Sequence, residues 1–247
     1  MKEDMEQVNS IAPLKNVTLM NALVERVMNR SPGLPGMATF HGFSGYGKTS
    51  AATYVAGKHR CYHIQVKSVW TQKKLCRSIL LALGIRPAKT IADMVDQIGE
   101  ELALSGRPLL VDEADFLVQK RMVEVLRDIY ESSAAAIILI GEEHLPGKLK
   151  AWERVHGRML DWVAAQPSTL SDAKHLTGLF CPGIEIEPEL LAKLHEASGG
   201  SARRICVNLD RIRELARTRG LDRVGKAEWG QRTFFQGLPP HARRGVA

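Results

Sequence analysis

The segment from Gly42 to Thr49 has the residue types and the spacing of a phosphate-binding loop. It follows the pattern G-x-x-x-x-G-K-[S/T] with Gly42, Phe43, Ser44, Gly45, Tyr46, Gly47, Lys48 and Thr49, between a predicted strand and a predicted helix. The glycines let backbone N–H groups point at a phosphate, and the helix that begins there adds the positive end of its dipole. Lys48 is expected to reach the β- and γ-phosphates, the Thr49 hydroxyl to ligate Mg²⁺, and Ser50 to complete the nucleotide site.

A second chemically suggestive segment is the apolar run that ends in Asp112 and Glu113. In P-loop proteins such a strand lies beside the one leading into the loop, so Asp112 is expected to hold the water shell of Mg²⁺. Glu113 is the candidate general base that polarises a water for attack on the γ-phosphate. Acidic residues at strand ends are commonly only solvated, so the prediction depends on the loop upstream. Asp115 is expected to cap a helix.

The elements that position these residues alternate between strands and helices. Short apolar runs predict buried strands at 37–41, 61–66, 107–111 and 135–140, and helical spacing predicts helices at 18–29, 73–83 and 91–104. Thr18 is placed to cap the first of these helices. Continuous apolar strands are typical of a parallel sheet covered by helices on both faces, so the sequence predicts an α/β fold.

Beyond residue 166 the pattern predicts helices only, near 171–179, 188–197, 202–218 and 226–235. We therefore expect a small all-helical second domain. The predicted organisation is a flexible arm over 1–17, a nucleotide-binding αβα domain over 18–166, a helical domain over 167–236 and a flexible basic tail over 237–247.

Composition limits the classes of protein that this chain can be. Its 247 residues are 45% hydrophobic and 25% charged, as in globular proteins. The longest apolar stretch, Ala134–Ile140, is far shorter than the about 20 residues of a membrane-spanning helix. The polar N-terminus lacks the apolar core of a secretory signal. We expect a cytoplasmic protein with no membrane partner.

Cysteine spacing and charge add two further expectations. The spacing of Cys61, Cys76, Cys181 and Cys206 fits neither a metal knuckle nor a CxxC pair, so we expect buried, free thiols. The net charge of +7 comes entirely from residues 200–247, which hold eleven Lys or Arg and four Asp or Glu. This excess favours a polyanionic partner.

The motifs GFSGYGKT, LLVDEAD, IILIGEE, WERVHGRM and GGSARRI together resemble those of the AAA+ ATPases. Within that superfamily the chain is most similar, over about residues 18–235, to the transposition ATPases of the phage Mu B protein type, whose relatives include TniB- and TnsC-like transposon proteins and the secretion ATPase ExeA. The resemblance implies an AAA+ core followed by a helical lid. It also implies ATP and Mg²⁺ as cofactors, ATP hydrolysis, and an oligomer in which each site is completed by a neighbour.

The resemblance also assigns catalytic roles to arginines, and it leaves open which residue acts at the end of the sensor strand. An arginine finger is expected on a helix containing Arg154 and Arg158, with Arg158 the first choice; alternatively, both are solvated residues sharing a helix face. Arg203 is expected to touch the γ-phosphate within the same subunit. The sensor strand of many AAA+ proteins ends in Asn, Ser or Thr, whereas Gly141 and Glu142 occupy that place here.

The function implied by the resemblance is nonspecific binding of double-stranded DNA by helical filaments of this protein in a bacterial host. The filament would deliver target DNA to a DDE transposase and stimulate it, and ATP hydrolysis would disassemble the filament. Candidate DNA contacts are Lys67, Lys73, Lys74, Arg77, Lys120 and Arg121. For any one of these residues alone, a solvated face is the simpler explanation, so the prediction concerns the cluster. The alternatives are an ExeA-like assembly ATPase acting on protein partners and a replication helicase-loader ATPase.

Overall fold

A computed structural model describes residues 14–237 of the chain. The arm predicted for 1–17 lies mostly, and the tail predicted for 237–247 almost wholly, outside the described residues. The described chain divides into two compact units, one spanning Leu14–Gln166 and the other containing residues 167–237. Within the described range, no helix is both long enough and apolar enough to span a membrane.

The first unit is built on a parallel sheet of five strands, in the order β2-β3-β4-β1-β5. The strands are β1 (Met37–His41), β2 (Tyr62–Gln65), β3 (Leu109–Asp112), β4 (Ile137–Gly141) and β5 (Met159–Ala164). The helices are α1 (Lys15–Met28), α2 (Lys48–Lys58), α3 (Gln72–Leu83), α4 (Ile91–Ser105), α5 (Asp115–Gln119), α6 (Val123–Ser133), α7 (Leu145–Lys150) and α8 (Glu153–His156). The predicted α/β fold with a parallel sheet is confirmed. The acidic strand β3 does not lie directly beside β1, contrary to the prediction, because β4 pairs with both and lies between them.

The register of the central strands brings three chain segments to one edge of the sheet. Strands β3 and β4 are buried along their whole length, as their continuous apolar sequences predict. Residue 137 of β4 pairs with residue 37 of β1 on one side and with residue 109 of β3 on the other. The three strands are parallel and begin side by side, so their carboxyl ends lie at the same edge of the sheet. The loop after β1, the acidic end of β3 and the residues after β4 therefore meet at that edge.

Helices α3 and α4 begin and end where their sequences predict, to within one or two residues. Thr71 and Thr90 cap them, each hydroxyl accepting the N–H of the residue three positions later, at 3.3 and 3.1 Å. Each ends at a left-handed glycine, Gly84 or Gly106, a conformation that residues with a Cβ rarely adopt. Local capping chemistry therefore fixes both helices.

The N-terminal helix departs from the prediction. It begins at Lys15, and Thr18 lies inside it with its hydroxyl 3.4 Å from the Leu14 carbonyl oxygen instead of capping it. The apolar stripe that packs on the sheet begins with Val17 and Met20, so tertiary burial extends the helix beyond the threonine. Residues 15–17, predicted as part of an arm, are helical.

Strand β5 was not predicted. All its residues are partly exposed or exposed, because it forms the edge of the sheet, and it includes Asp161 and Trp162. Its pairing with β1 skips Leu160, where the register shifts. A half-exposed, irregular edge strand that contains a charged residue lacks both the strict alternation and the continuous apolar run that mark strands in a sequence.

The second unit is not purely helical, contrary to the prediction. Its helices are α9 (Leu170–Phe180), α10 (Pro188–Ser198), α11 (Ala202–Arg219) and α12 (Lys226–Trp229), and two-residue strands β6 (Glu185–Ile186) and β7 (Arg223–Val224) pair in parallel. The helix predicted for 226–235 stops at Trp229, where the chain turns back. There the indole ring stacks on Phe234 at 4.8 Å, and its N–H donates to the Arg232 carbonyl oxygen at 2.8 Å.

The thiols should be inert in the native protein. All four cysteines are free; Cys61, Cys76 and Cys181 are buried as predicted, and Cys206 is half-buried. Burial raises the pKa of each thiol to about 11, so all four stay protonated at pH 8, and the thiol form is not the nucleophile. A chromogenic thiol reagent at pH 8 is expected to label none within minutes and all four in guanidinium chloride. Rapid labelling of the native protein would contradict this burial.

Candidate functional site

The loop after β1 is shaped by two left-handed glycines and closes around a lysine. Gly45 and Gly47 have φ values of 86° and 80°, which glycine adopts readily and residues with a Cβ seldom do. Lys48, the first residue of α2, donates its Nζ protons to the carbonyl oxygens of Gly42 at 2.6 Å and Phe43 at 3.0 Å. Burial lowers the pKa of Lys48, while the nearby carboxylates oppose that shift. The ammonium group thus lies inside the loop.

Asn16 anchors the loop from helix α1, and sequence reasoning missed it. Its amide nitrogen donates to the carbonyl oxygens of Tyr46 at 2.8 Å and Gln166 at 2.7 Å, and its Oδ1 accepts the Gln166 N–H at 2.8 Å. The residue is 6% exposed. Asn16 lay in the segment predicted as an arm, where nothing in the sequence marks it as buried.

The two residues predicted to hold the metal are in direct contact. The Thr49 hydroxyl donates to Oδ2 of Asp112 at 2.7 Å, and Oδ1 of Asp112 accepts the Glu113 N–H at 2.8 Å. Asp112 is 2% exposed. A hydroxyl and a carboxylate are hard oxygen ligands of the kind that Mg²⁺ takes, usually as one or two protein ligands completed by phosphates and water. The donor set of one hydroxyl and one carboxylate fits Mg²⁺ completed by phosphates and water. Nowhere in residues 14–237 are three or more His, Cys, Asp or Glu side chains grouped so that they alone could hold a metal ion.

Glu113 is held in an unusual backbone conformation directly after β3. Its φ is +58°, a left-handed value that non-glycine residues rarely adopt and that clusters at functional sites. The pKa of its carboxyl is raised by burial first and by the charge of Asp112 next, with Lys48 opposing. The strain and the altered acidity both distinguish Glu113 from an ordinary solvated strand-end residue.

Asp115 is not a helix cap, contrary to the prediction. Helix α5 has Ala114 at its N-cap, and Asp115 is instead 3% exposed, with Oδ2 accepting the Glu142 N–H at 2.7 Å. Its Oδ1 accepts Nζ of Lys148 at 2.6 Å. No local sequence pattern indicates that Lys148 pairs with Asp115, because it lies 33 residues away on a short helix.

The position left open by the sequence is the last residue of β4, Gly141, and little space is left around it. A Cβ on Gly141 would overlap Oδ2 of Asp115 and lie 2.7 Å from Cδ2 of Leu145. An Asn, Ser or Thr at this place would therefore require the Asp115 and Leu145 side chains to shift. The following Glu142 side chain is 58% exposed, and its Oε2 lies 3.5 Å from Nζ of Lys148.

The two finger candidates do not share a helix, contrary to the prediction. Arg154 lies on α8, which ends at His156, and Arg158 lies beyond that end, directly before β5. The Arg158 guanidinium forms an ion pair with Glu131 of α6. Arg203 lies on α11 of the second unit, two residues after the helix cap Ser201. The catalytic roles of these three arginines remain predictions.

The predicted DNA-contacting residues form two groups, and two remain apart. Lys73 and Arg77 line a pocket of about 310 Å³ together with Arg86 and Lys89, which the sequence analysis did not single out. Lys74 lies 5.7 Å from the centre of the Trp70 ring, and Lys120 donates to the Trp70 carbonyl oxygen at 3.2 Å. Trp70 itself packs partly against the core. Lys67 and Arg121 are exposed.

Residues 33–149 match the family model described as AAA domain. No curated protein matches the chain. Among solved structures, Cdc6p from Pyrobaculum aerophilum has a TM-score of 0.60 at 16% identity, covering 84% of this chain and 62% of that one. Orc1 from Aeropyrum pernix, solved in complex with DNA, has a TM-score of 0.57 at 19% identity and coverages of 86% and 62%.

A RuvB variant from Thermotoga maritima has a TM-score of 0.59 at 18% identity, covering 85% of this chain and 65% of that one. The chain thus spans less than two thirds of the length of these three structures. At such low identities the likeness shows the fold alone.

Replacing Asn16 tests the anchoring of the loop. Asn16→Ala leaves the Tyr46 and Gln166 backbone groups without their partner, so the free energy of unfolding should fall by about 1–3 kcal/mol. Urea denaturation followed by circular dichroism measures it. Thr18→Ala, an exposed change on the same helix, is the control and should stay within about 0.5 kcal/mol. Equal stabilities of Asn16→Ala and the wild type would show that the loop does not depend on this amide.

The phosphate-binding loop, the acidic strand end and the parallel sheet all lie in the first unit, which contains residues 33–149 that match the AAA domain. The chain therefore has an α/β fold of the AAA+ P-loop type.

Proposed function

We propose that this protein is an ATPase that binds ATP with Mg²⁺ and hydrolyses its γ-phosphate. The observation that carries the proposal is the 2.7 Å hydrogen bond between Thr49 and Asp112, which joins the phosphate loop to the acidic strand end. Lys48 and Glu113 flank that contact on the same sheet edge. The groups that we propose to bind the phosphates, hold the metal ion and act as the general base therefore all lie in one unit.

Each group has a distinct chemical part in the proposed hydrolysis. The loop N–H groups and Lys48 hold the β- and γ-phosphates, while Thr49 and Asp112 hold the ion. Bound Mg²⁺ neutralises the charge that develops on the phosphate oxygens. Glu113 accepts a proton from the attacking water, and its raised pKa brings it closer to the range in which general bases work well.

Arginines are proposed to complete the site. Arg158, or Arg154 in its place, acts as the finger that a neighbouring subunit supplies, and Arg203 contacts the γ-phosphate from its own subunit. Arginine suits this part because its planar fork can hold a phosphate through two hydrogen bonds. The ion pair with Glu131 keeps Arg158 oriented in a single chain and must open before Arg158 reaches a neighbour.

Replacing the proposed base separates binding from hydrolysis. Glu113→Gln should lower kcat by about 10²-fold or more, because the amide cannot accept the proton, while the dissociation constant for ATP changes little. Phosphate release and binding of a fluorescent ATP analogue measure the two quantities. Glu100→Gln, an exposed change on α4, should retain both. Normal hydrolysis by Glu113→Gln would refute the assignment of the base.

We also propose that the ATP-bound protein forms filaments on double-stranded DNA without reading its sequence and presents that DNA to a DDE transposase. The support is the pocket of Lys73, Arg77, Arg86 and Lys89, which is lined by four cations and no carboxylate. Within the described residues none of the four forms an ion pair. Unpaired cations are free to contact phosphates without first breaking an intramolecular pair.

The backbone around this pocket is preorganised. Oε1 of Gln97 accepts the Ala88 N–H at 2.9 Å, and its amide nitrogen donates to the Arg86 carbonyl oxygen at 3.3 Å. Thr90 then caps α4 directly after Lys89. Two of the four cations thus lie on a fixed loop and two on a helix, which reduces the entropy lost when a phosphate binds.

Salt dependence measures the DNA contribution of the pocket. If ~4–6 phosphates are neutralised per binding unit, log affinity against log salt should have a slope of roughly −4 to −5. Arg86→Ala with Lys89→Ala should make the slope shallower by about 2 and weaken binding to all sequences alike. Lys150→Ala with Lys193→Ala, two exposed changes outside the pocket, is the charge-matched control. An unchanged slope in the pocket variant would exclude these residues from the DNA contact.

The same samples decide between DNA and protein targets. Electron microscopy with random duplex and ATP, ADP or a non-hydrolysable analogue should show filaments that depend on ATP, and Glu113→Gln should prolong them. An assembly ATPase acting on proteins would form no filament on DNA. A helicase-loader ATPase would form particles only with its helicase.

A further inference from the structure

A buried carboxylate lies where the segments of the proposed catalytic site meet. Asp115 is two residues after Glu113 and 3% exposed. One of its oxygens accepts the Glu142 N–H at 2.7 Å and the other accepts Nζ of Lys148 at 2.6 Å. Both carboxylate oxygens are therefore used, one for the backbone after β4 and one for a cation.

The lysine compensates a charge that the site would otherwise leave buried and unpaired. Removing one partner of a buried ion pair is strongly destabilising, because the remaining charge has lost both water and counter-charge. The Lys148 side chain is 30% exposed, and its hydrogen bond to Asp115 raises its pKa while burial opposes that shift. Lys148 therefore stays charged over the range in which the protein would work.

The end of β4, next to the backbone that Asp115 binds, contacts both the turn that carries Glu113 and the start of the phosphate loop. The Ala114 N–H, directly after Glu113, donates to the Ile140 carbonyl oxygen at 2.9 Å. On the next residue of β4, the Gly141 carbonyl oxygen accepts the Gly42 N–H at 3.2 Å. The end of β4 thus lies between the turn that carries the base and the start of the phosphate loop.

We propose that Lys148 is a positioning residue for ATP hydrolysis: by pairing with Asp115 it fixes the chain after β4, and thereby the distance between Glu113 and the phosphate loop. This inference rests on the proposed ATPase function. Lys148 lies on α7, and we assign it no contact with the nucleotide. A displaced base slows the chemical step, whereas the loop contacts that bind phosphate stay in place.

The test is a comparison of kcat and KM for ATP in the full chain. Lys148→Met keeps most of the length of the side chain and removes its charge. The value of kcat should fall about tenfold or more, and KM should change less than about threefold. Lys150→Met, on the same helix but exposed and outside any ion pair in the described residues, should match the wild type. Lys148→Arg should recover most of the lost kcat.

A mutant cycle shows whether Lys148 acts through Asp115. Asp115→Asn and Lys148→Met should each lower kcat. The double variant should be no slower than the slower single variant, because both substitutions remove the same ion pair. In hydrogen exchange, the Glu142 amide should lose protection in Lys148→Met and keep it in Lys150→Met. Independent, multiplying losses in the cycle would overturn the proposal.

The remaining outcomes are also decisive. A wild-type kcat for Lys148→Met overturns the inference. If that variant does not fold, the double variant, which leaves no buried charge unpaired, replaces it: a low kcat with an unchanged KM supports the inference, and a wild-type kcat overturns it. If Glu113→Gln is inactive while Lys148→Met is normal, only this inference fails. If the wild-type protein itself hydrolyses no ATP, the proposed function fails and this inference fails with it.

Discussion

The common register of the three central strands is the constraint on which the rest of the site depends. Because β1, β3 and β4 run in the same direction from paired starting residues, their carboxyl ends share one edge. The Thr49 hydroxyl can reach Asp112 only because the loop after β1 returns across that edge into α2. A shift of one residue in β3 would turn Asp112 to the other face of the sheet and remove the contact.

Local chemistry explains what the sequence predicted well. The phosphate loop can be recognised from its glycines, which adopt positive φ values. The central strands can be recognised from continuous apolar runs, which are typical of strands buried on both faces. The threonine caps and terminal glycines of α3 and α4 fix their ends in the same local way. In each of these elements, neighbouring residues carry the whole signal.

Long-range contacts explain what the sequence did not predict. The Asn16 side chain is buried where its amide bonds to the backbone of Tyr46 and Gln166, which lie 30 and 150 residues away in the sequence. Asp115 is the first residue of α5, yet its partners lie beyond β4, and nothing near it in the sequence indicates this. Arg86 and Lys89 meet Lys73 and Arg77 only through the turn between α3 and α4. Such pairings depend on the fold and have no local period or motif.

The tight packing at the end of β4 links two positions that are far apart in the chain. Since a Cβ on residue 141 would collide with the Asp115 carboxylate, the glycine and the aspartate form a matched pair. A homologue with a larger residue at the end of this strand would be expected to carry different side chains in place of Asp115 and Leu145. Engineering a larger side chain into this position would therefore require both neighbours to move or to be replaced.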